Sequence, residues 1–352
     1  MQDDGIVALD REAAEQRQGF YGRARTENLA PLWKVLHGLV TATPKSDAVP
    51  AIWEYRSVRP YLLEACELIS TEEAERRVLV LENPGLAGQS RITPSLFAGL
   101  QIILPGEVAP AHRHIASALR FIIEGKDAYT TVEGERTMME PGDFVITPSW
   151  AWHDHGNESN GPMVWLDGLD MHIVNLLSTS FRENYPGRVH PTVRPPGSAA
   201  AETGCNMLPV DYQRRSQTSP IFNYPFRVAH DALERMSRLR APDPCHGFKM
   251  VYINPVTGGS AMATMTTAMQ LLPKGFTTEP YRSTAGTVFC VVHGSGTAVV
   301  AAQRLTFRAH DLFVVPSWHP FAIEAAEEAV IFSFSDRVTQ EKLDIFREQR
   351  GA

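Results

Sequence analysis

The spacing of hydrophobic residues is helical in the first part of the chain. In ENLAPLWKVLHGLV, apolar residues recur every three or four positions, at Leu29, Leu32, Trp33, Leu36 and Leu39. Further on, Ser70 and Glu73 have the form of a capping box, in which a serine caps a helix and a glutamate reaches back to it. The pattern predicts an N-terminal helical arm over residues 1–90, which packs on a sheet or on another subunit.

Short β-type runs, separated by turn residues, begin at about residue 91. They include SLFAGLQIIL, ALRFII, AYTTV, DFVIT and MVWLDGL, and their spacing of about ten residues is typical of an all-β sandwich or barrel. This pattern covers residues 91–172. A proline-rich linker is expected over 173–248, with a short helix near DALERMSRL. Strand patterning returns over 249–335, and residues 336–352 are expected to form a C-terminal helix.

The two β regions repeat each other. GDFVITPSWAWHDH, residues 142–155, matches HDLFVVPSWHPFAI, residues 310–323, at an offset of about 168 residues. LPGEVAPAHRH likewise resembles LPKGFTTEPYRS. An internal duplication of this size predicts two barrels of the same architecture.

Composition narrows the classes of function. The 352 residues carry a net charge of −7, which argues against a general nucleic-acid binder and against an anionic membrane surface. No uncharged apolar stretch approaches the roughly 20 residues of a membrane span, and the acidic start MQDDGIVALDREAAEQRQ is unlike a signal peptide. Four cysteines without a CxxC pair predict reduced, buried thiols in a cytoplasmic protein.

Three histidines have the spacing of a metal site. His112 and His114 stand two residues apart, so on a strand both imidazoles point to one face. His153 follows on a later strand, after the turn at Gly142 and the break at Pro148. The competing interpretation is three unrelated histidines packed in a core, which the combined spacing disfavours.

This spacing resembles the two motifs of the cupin superfamily. The first motif is matched at Gly106, His112, His114 and Gly125, with Ala118 in the place of its glutamate. The second is matched at Gly142, Pro148, His153 and Asn157, with Trp150 in the place of its middle glycine. The resemblance implies an all-β bicupin of two double-stranded β-helix (jelly-roll) barrels, with N-terminal helices and a C-terminal helix.

The second barrel keeps the fold signature without the ligands. The stretch Pro280–Ser283 has no histidine where the HxH pair would fall, and Phe321 replaces the third histidine. His310 and His319 lie nearby but out of register. We therefore expect this barrel to be structural and without metal.

The absence of a carboxylate ligand changes which kind of substrate the first site favours. Two histidines and one carboxylate mark non-haem Fe(II) oxygenases, and a third neutral imidazole leaves the ion at +2, which favours an anionic chelating substrate. Arg120 shares strand parity with Ala118, so it is expected to face the same cavity and to hold a substrate carboxylate. The alternative is an internal ion pair of Arg120 with Asp167, Asp170 or Glu124.

Further candidates share that cavity. His155 has the parity of His153 and is expected to act in acid–base chemistry, as a hydrogen-bond donor to substrate, or as support for a ligand. Gln101 and Asp167 are weaker candidates, because each could instead satisfy buried backbone groups.

Most of the chain is similar to the gentisate 1,2-dioxygenase family of bicupin ring-cleaving dioxygenases. The resemblance covers roughly 300 residues and includes ENLAPLWKVL, HRHIASALRFIIEG, PSWAWHDHGN, WLDGLD, NPVTGGSAMATM and DLFVVPSW. It implies Fe(II) held by His112, His114 and His153, and aromatic substrates with adjacent carboxylate and hydroxyl groups. It also implies a cytoplasmic homo-oligomer, commonly a tetramer.

The expected reaction opens gentisate (2,5-dihydroxybenzoate) between its carboxyl-bearing and 2-hydroxyl-bearing carbons, giving maleylpyruvate. Arg120 would hold the carboxylate, His155 would hydrogen-bond substrate or oxygen, Asp167 would address the 5-hydroxyl, Gln101 would orient the ring, and Phe97 would form an apolar wall. The alternatives are a salicylate or 1-hydroxy-2-naphthoate dioxygenase of the same family, a cupin isomerase that uses zinc or manganese, and a non-catalytic ligand-binding cupin.

Overall fold

The computed structural model describes residues 3–351, and the chain divides into two compact units. The first unit extends to Lys45 and contains helices α1 (Asp3–Thr26) and α2 (Leu32–Leu39). Here Trp33 Nε1 donates to the Tyr21 hydroxyl at 3.2 Å, and the Lys34 ammonium lies 3.8 Å from the Tyr21 ring centre. No residue of α2 is buried. The packing partner expected for this arm stays a prediction.

The second unit, from Ser46 onwards, contains both β regions and six further helices. These helices are α3 (Tyr55–Leu68), α4 (Thr71–Ala74), α5 (Met171–Leu176), α6 (Ser198–Thr203), α7 (Phe226–Leu239) and α8 (Arg337–Lys342). The predicted capping serine is confirmed, because Ser70 Oγ accepts a hydrogen bond from the Glu73 backbone N–H at 3.1 Å. The short helix expected near DALERMSRL is α7.

Strands dominate the second unit. The strands up to residue 169 are β1 (Ala51–Trp53), β2 (Arg77–Val80), β3 (Phe97–Ile103), β4 (Val108–His114), β5 (Ala118–Glu124), β6 (Ala128–Val132), β7 (Glu135–Met139), β8 (Phe144–Thr147), β9 (His153–Asn157) and β10 (Met163–Leu169). The later strands are β11 (Arg182–Asn184), β12 (Asn223–Tyr224), β13 (Phe248–Val251), β14 (Thr266–Leu272), β15 (Tyr281–Ser283), β16 (Thr287–His293), β17 (Gly296–Val300), β18 (Gln303–Phe307), β19 (Leu312–Val315), β20 (Phe321–Ala325), β21 (Ala329–Ser335) and β22 (Glu348–Arg350).

Each barrel consists of two antiparallel sheets. In the first barrel the strand orders are β12-β8-β5-β10-β3-β2 and β11-β4-β9-β6-β7. In the second they are β1-β19-β16-β21-β14-β13 and β18-β17-β20-β15-β22. The predicted all-β class and the two-barrel architecture are confirmed.

The barrels pack on each other through an apolar core. Side chains of β5 alternate, so that Arg120 faces the interior of the first barrel while Phe121 faces outward. The Phe121 ring stacks on Phe332 of the second barrel, with ring centres 4.1 Å apart. This double-sided burial explains why β5 reads as a nearly continuous hydrophobic run in the sequence.

Two segments of the expected helical arm are strands, so that prediction is wrong for residues 51–53 and 77–80. β1 pairs with β19 of the second barrel, and β2 pairs with β3 of the first. Both strands occupy sheet edges, where an added strand satisfies backbone groups that would otherwise be unpaired. Residues 1 and 2 of the expected arm lie outside the described residues.

The C-terminal helix is present but shorter than expected. α8 ends at Lys342, and the chain then forms β22, which pairs with β15. Thr284 Oγ1 accepts a hydrogen bond from the Arg347 backbone N–H at 3.0 Å, which holds the returning segment. Pairing with the edge strand β15 therefore determines the conformation of residues 348–350, although the hydrophobic spacing of this segment is helical. Ala352 lies outside the described residues.

The duplication is visible in the backbone as well as in the sequence. Trp150 and Trp318 both have a left-handed φ, of 61° and 62°, at equivalent turns. The Trp150 N–H donates to the His114 carbonyl at 2.8 Å, and the Trp318 N–H donates to the Ser283 carbonyl at 2.6 Å. A left-handed conformation costs a non-glycine residue roughly 1–2 kcal/mol, and the same cost is accepted in both barrels.

All four cysteines are free thiols, as predicted, but the expected burial is correct only for Cys245 and Cys290, because Cys66 is half-buried and Cys205 is exposed. Among the described helices, none combines the length and the apolar character that crossing a bilayer requires.

Candidate metal centre

The three predicted histidines converge on one side of the first barrel. His112 on β4 and His153 on β9 are directly paired across the sheet, and His114 follows two residues after His112. Their nitrogen atoms lie within 4.8 Å of one another. In the part of the chain that the structure describes, this is the one cluster of three or more such residues that could hold a metal ion.

Backbone carbonyls orient the three imidazoles. The Nδ1 atoms of His112, His114 and His153 lie 3.2, 2.7 and 2.9 Å from the carbonyl oxygens of Pro110, Ala116 and Ala151 respectively. When Nδ1 carries the proton and donates it to such a carbonyl, the lone pair of Nε2 is left free for a metal. This arrangement favours the Nδ1–H tautomer of His114 and His153, whereas Nδ1 of His112 also has an arginine N–H at 2.8 Å.

The environment keeps these rings neutral, as a metal ligand must be. Burial lowers the pKa of His114 to about 4 and, with a smaller contribution from the nearby Arg76 charge, that of His112 to about 2. Burial also lowers the pKa of His153 well below its ordinary value. All three rings are therefore unprotonated at neutral pH.

The donor set fits a divalent transition metal. Nε2 of His153 is fully buried and has no hydrogen-bond partner, which is a costly state for a polar atom unless a ligand satisfies it. Three imidazoles on one face leave the opposite positions of an ion open, which is the arrangement of a catalytic site.

An open cavity of about 460 Å³ adjoins the three histidines. Its wall includes Phe97, Gln101, Arg120 and Asp167, all four of which the sequence placed near the substrate. Ala118 also faces this cavity, so the position of the missing carboxylate is indeed beside the metal centre.

Arg120 lies in the wall of this cavity with few protein partners. It is 3% exposed, and its Nη1 donates to Thr147 Oγ1 at 2.5 Å. Its Nε lies 3.6 Å from Asp167 Oδ1 and makes no hydrogen bond. Burial, the largest influence, lowers the pKa of Arg120, and the Asp167 charge opposes this effect. The structure is therefore compatible with both roles expected for Arg120, substrate binding and an internal ion pair. Its guanidinium borders the cavity and also lies near the Asp167 carboxylate.

Asp167 is a buried carboxyl whose protonation changes at mildly acid pH. Burial raises its pKa to about 6, although Arg120 and the indole N–H of Trp165, which donates to Asp167 Oδ1 at 3.1 Å, lower it. Cross-strand pairing of Asp167 with Arg120 places the two side chains on one face. At neutral pH the carboxyl is ionised and can accept a hydrogen bond from a ligand.

His155 and Gln101 differ in their access to the cavity. His155 is fully buried behind His153, outside the cavity wall, and its Nδ1 lies 2.8 Å from Thr130 Oγ1. Its Nε2 has no partner. Gln101 lies in the wall itself, and its amide makes no hydrogen bond to the residues that the structure describes. The geometry thus favours support of the ligand strand for His155 and contact with a ligand for Gln101.

Sequence reasoning missed two cations of the cavity wall, of which Arg182 is paired with Glu75 at 2.8 Å and the other is Arg76. It lies just before β2, in the cavity wall, and its Nη2 is 2.8 Å from His112 Nδ1 and 3.2 Å from the Pro110 carbonyl. Burial lowers its pKa to about 9. The neighbouring Arg77 points the other way and is bonded to Glu107. In a strand, adjacent side chains point to opposite faces, so the sequence RRVLV would have placed Arg76 and Arg77 on opposite sides. This was not recognised because the segment was expected to be helical.

The second barrel has other residues at the ligand positions. Tyr281 pairs with Phe321 across β15 and β20, just as His112 pairs with His153, and Ser283 corresponds to His114. These side chains cannot reproduce a three-histidine site.

The fold and the site define a bicupin with a three-histidine metal centre in its first barrel. The cupin domain family matches residues 99–169, which include all three histidines. The chain is 54% identical to gentisate 1,2-dioxygenase 1 of Aquipseudomonas alcaligenes, over 96% of this chain and 97% of that protein. It is 35% identical to a 1-hydroxy-2-naphthoate 1,2-dioxygenase of a Nocardioides species, over 99% of this chain and 88% of the relative.

A solved structure supports the same relationship. The salicylate 1,2-dioxygenase of Pseudoaminobacter salicylatoxidans, in adducts with gentisate, superposes with a TM-score of 0.90 at 32% identity, covering 95% of this chain and 94% of that one. The chain belongs to the gentisate 1,2-dioxygenase family of ring-cleaving cupin dioxygenases. It is an enzyme, as the sequence predicted.

Proposed function

We propose that this enzyme is an Fe(II)-dependent gentisate 1,2-dioxygenase, which opens the ring between the carboxyl-bearing and 2-hydroxyl-bearing carbons to give maleylpyruvate. The observation that carries the proposal is the placement of two arginines, the partly buried Arg76 and the buried Arg120, in the cavity wall beside three neutral histidines. High identity to a gentisate 1,2-dioxygenase over nearly the whole chain supports the choice of substrate.

The charge of the site favours a substrate that brings two negative oxygens. Three neutral imidazoles leave a divalent ion uncompensated, and no carboxylate stands at Ala118. A carboxylate with an adjacent phenolate can chelate the ion and balance its charge. When bound, ferrous ion would supply the redox centre at which the aromatic ring and dioxygen react.

The arginines are suited to hold the substrate carboxylate. A ring whose Nε2 binds metal carries its proton on Nδ1, and Nδ1–H of His112 would donate to the Pro110 carbonyl. The N–H groups of Arg76 can then no longer donate to that nitrogen, so apart from the bond of Nη2 to the Pro110 carbonyl they are available to an anion in the cavity. Arg120 also lines the cavity, and its Nε–H makes no hydrogen bond within the protein.

Gentisate differs from salicylate by a 5-hydroxyl, and Asp167 is the acceptor in the wall that could address it. At neutral pH its carboxyl is ionised, so it can accept this hydrogen bond and increase electron donation into the ring. Gln101 would orient the ring, and Phe97 would pack on it. His155 lies behind His153, so we assign it to the support of that ligand and not to direct acid–base chemistry.

The test is turnover by Fe(II)-loaded protein in air. Gentisate should give a maleylpyruvate absorbance with one equivalent of oxygen consumed, and salicylate and 1-hydroxy-2-naphthoate should be turned over far more slowly. Equal or faster turnover of either competitor would reassign the substrate within the family. Absence of oxygen uptake with all three substrates would refute the dioxygenase assignment. Loading the same protein with Zn(II) or Mn(II) provides the metal control.

The homotetramer and the cytoplasmic location that the resemblance implies stay predictions. Sedimentation analysis of the metal-loaded enzyme measures the first, and fractionation of cells measures the second.

A further inference from the structure

The second barrel contains a cavity of its own, of about 220 Å³. Its wall is formed by side chains of strands equivalent to those that surround the metal centre in the first barrel. Tyr281, Ser283 and Phe321 take the places of the three histidines, so the cavity lies where the duplicated substrate pocket would be. The loss of the metal ligands has therefore not filled the interior of this barrel.

Lys249 brings a positive charge to this cavity. It stands on β13, paired with Gln270 on β14, just as Val78 on β2 pairs with Gln101 on β3. The first barrel has a cation, Arg76, near this edge of its cavity, and the second barrel has Lys249. The two cations do not occupy equivalent positions, because the counterpart of Lys249 in the first barrel is the apolar Val78.

The charge of Lys249 is not compensated by the protein. Within residues 3–351, its ammonium forms no hydrogen bond and no ion pair, and its nearest aromatic ring, Phe289, is centred 5.9 Å away. Arg337, the other cation in the wall, is paired with Glu341 and Glu348. Burial, with the Arg337 charge as a smaller cause, lowers the pKa of Lys249 to about 8. Lys249 is partly buried, and a cation withdrawn from water without a partner is costly, so an anion in the cavity would relieve that cost.

The rest of the wall combines free hydroxyl groups with aromatic rings. The side chains of Thr287, Ser333 and Ser335 make no hydrogen bond within the described chain and border the cavity. Phe289 and Phe321 provide apolar ring faces. The volume is below the roughly 300–1,000 Å³ of pockets for drug-sized ligands, which favours a ligand with a single ring.

We propose that the cavity of the second barrel is a metal-independent binding site for a small aromatic carboxylate, with Lys249 as the anchor of its carboxylate group. The hydroxyls of Thr287, Ser333 and Ser335 complete the polar side, and the ring packs between Phe289 and Phe321. This site needs no ortho-hydroxyl in its ligand, because there is no metal to chelate. It does not depend on which ring the first barrel cleaves.

The experiment measures the binding of 4-bromobenzoate, which carries a carboxylate and a heavy atom but no ortho-hydroxyl. Titration calorimetry compares the metal-loaded wild-type enzyme with Lys249→Met and with the matched control Lys274→Met, which removes an exposed lysine of the same barrel. Crystals of the wild-type complex, measured at the bromine edge, locate the ligand directly. A parallel titration with inorganic phosphate tests whether any anion suffices.

We expect a bromine peak beside Lys249, at least tenfold weaker binding at that site in Lys249→Met, and unchanged binding in Lys274→Met. A bromine peak confined to the first barrel would overturn the proposal, as would equal affinity of Lys249→Met and wild type. Phosphate binding at Lys249 without any 4-bromobenzoate there would overturn the aromatic class of the ligand. If Lys249→Met does not fold, the bromine map of the wild-type enzyme alone decides.

Discussion

Replacement of Arg120 by methionine separates the two roles that the structure leaves open for this residue. Methionine is apolar and fills a similar volume, so the change removes the charge and the donors with little effect on packing. Arg120 is 3% exposed and forms no hydrogen bond with any of the three metal-ligating histidines. The variant should therefore load metal normally.

The expected loss follows from the hydrogen bonds that Arg120 has available. One charge-assisted hydrogen bond contributes about 1.5–3 kcal/mol. Since about 1.4 kcal/mol corresponds to a factor of ten, loss of one bond to the substrate carboxylate should lower kcat/KM by roughly 10- to 150-fold. Most of this should appear in KM, because a carboxylate held equally in ground and transition states contributes uniform binding.

Asp167 provides the control. If Arg120 acts only as the internal partner of Asp167, then Arg120→Met and Asp167→Asn should have similar effects, and neither should strongly change the KM for salicylate, which offers Asp167 no 5-hydroxyl. If Arg120 binds substrate, Asp167→Asn frees its guanidinium and should leave the affinity for salicylate, which has no 5-hydroxyl, close to normal. Removal of Arg120 also takes away a charge that lowers the pKa of Asp167, so the carboxyl should protonate near neutral pH and limit the loss of stability.

The assay is steady-state oxygen uptake with gentisate, together with metal analysis of each preparation and a Lys replacement that keeps the charge. Unchanged kcat/KM in Arg120→Met at normal metal content would refute the role in substrate binding. Loss of metal in that variant would refute the geometry of the site as described.

Three further predictions concern the ligands, the buried carboxyl and a turn. His153→Ala should abolish metal binding and turnover, whereas the control His172→Ala, which removes a histidine bonded to a distant carbonyl, should keep its metal; full metal occupancy in His153→Ala, measured by elemental analysis, would contradict the assignment. The folded pKa of Asp167 is raised from 3.8 to about 6, so its stabilising effect is present below pH 3.8 and is lost as pH rises through 6. Metal-free wild type should thus lose roughly 2–3 kcal/mol relative to Asp167→Asn between pH 4 and 7, and parallel urea-denaturation profiles of the two proteins would exclude this. Gly125→Ala should destabilise the enzyme by more than about 2 kcal/mol, because φ is +91° and a Cβ would lie 2.6 Å from the Pro162 carbonyl oxygen. Gly88→Ala, with φ +78° and open space around its Cβ, provides the comparison in thermal unfolding, and equal losses would argue that the contact has no effect.

The sequence was informative where periodicity and motif spacing coincide. A period of two over HRH, followed by a second histidine strand at a fixed interval, placed His112, His114 and His153 together. The same parity placed Arg120 in the cavity wall. These predictions depend on local geometry, which a strand imposes whatever lies around it.

The sequence was less informative where tertiary pairing decides the structure. Residues 77–80 and 348–350 become strands because sheet edges recruit them, and edge pairing leaves only a weak local pattern. Arg76 was missed for this reason, since its direction depends on the register of β2. His155 shows a second limit, because parity gives the face of a residue but not its depth within the barrel.

The turn at Trp150 has a consequence for how the enzyme acquires its metal. The Trp150 N–H donates to the His114 carbonyl and so holds the strand of His114. The backbone leads from Trp150 directly to His153, and the Arg113 guanidinium lies 4.4 Å from the centre of the Trp150 ring. Protein contacts therefore help to set the distance between the ligand strands. We expect a site held in this way to keep its shape when metal is removed, so the folded protein should take up and release metal without refolding. Supply of metal to the folded chain, and not synthesis of the chain, would then set when the enzyme becomes active.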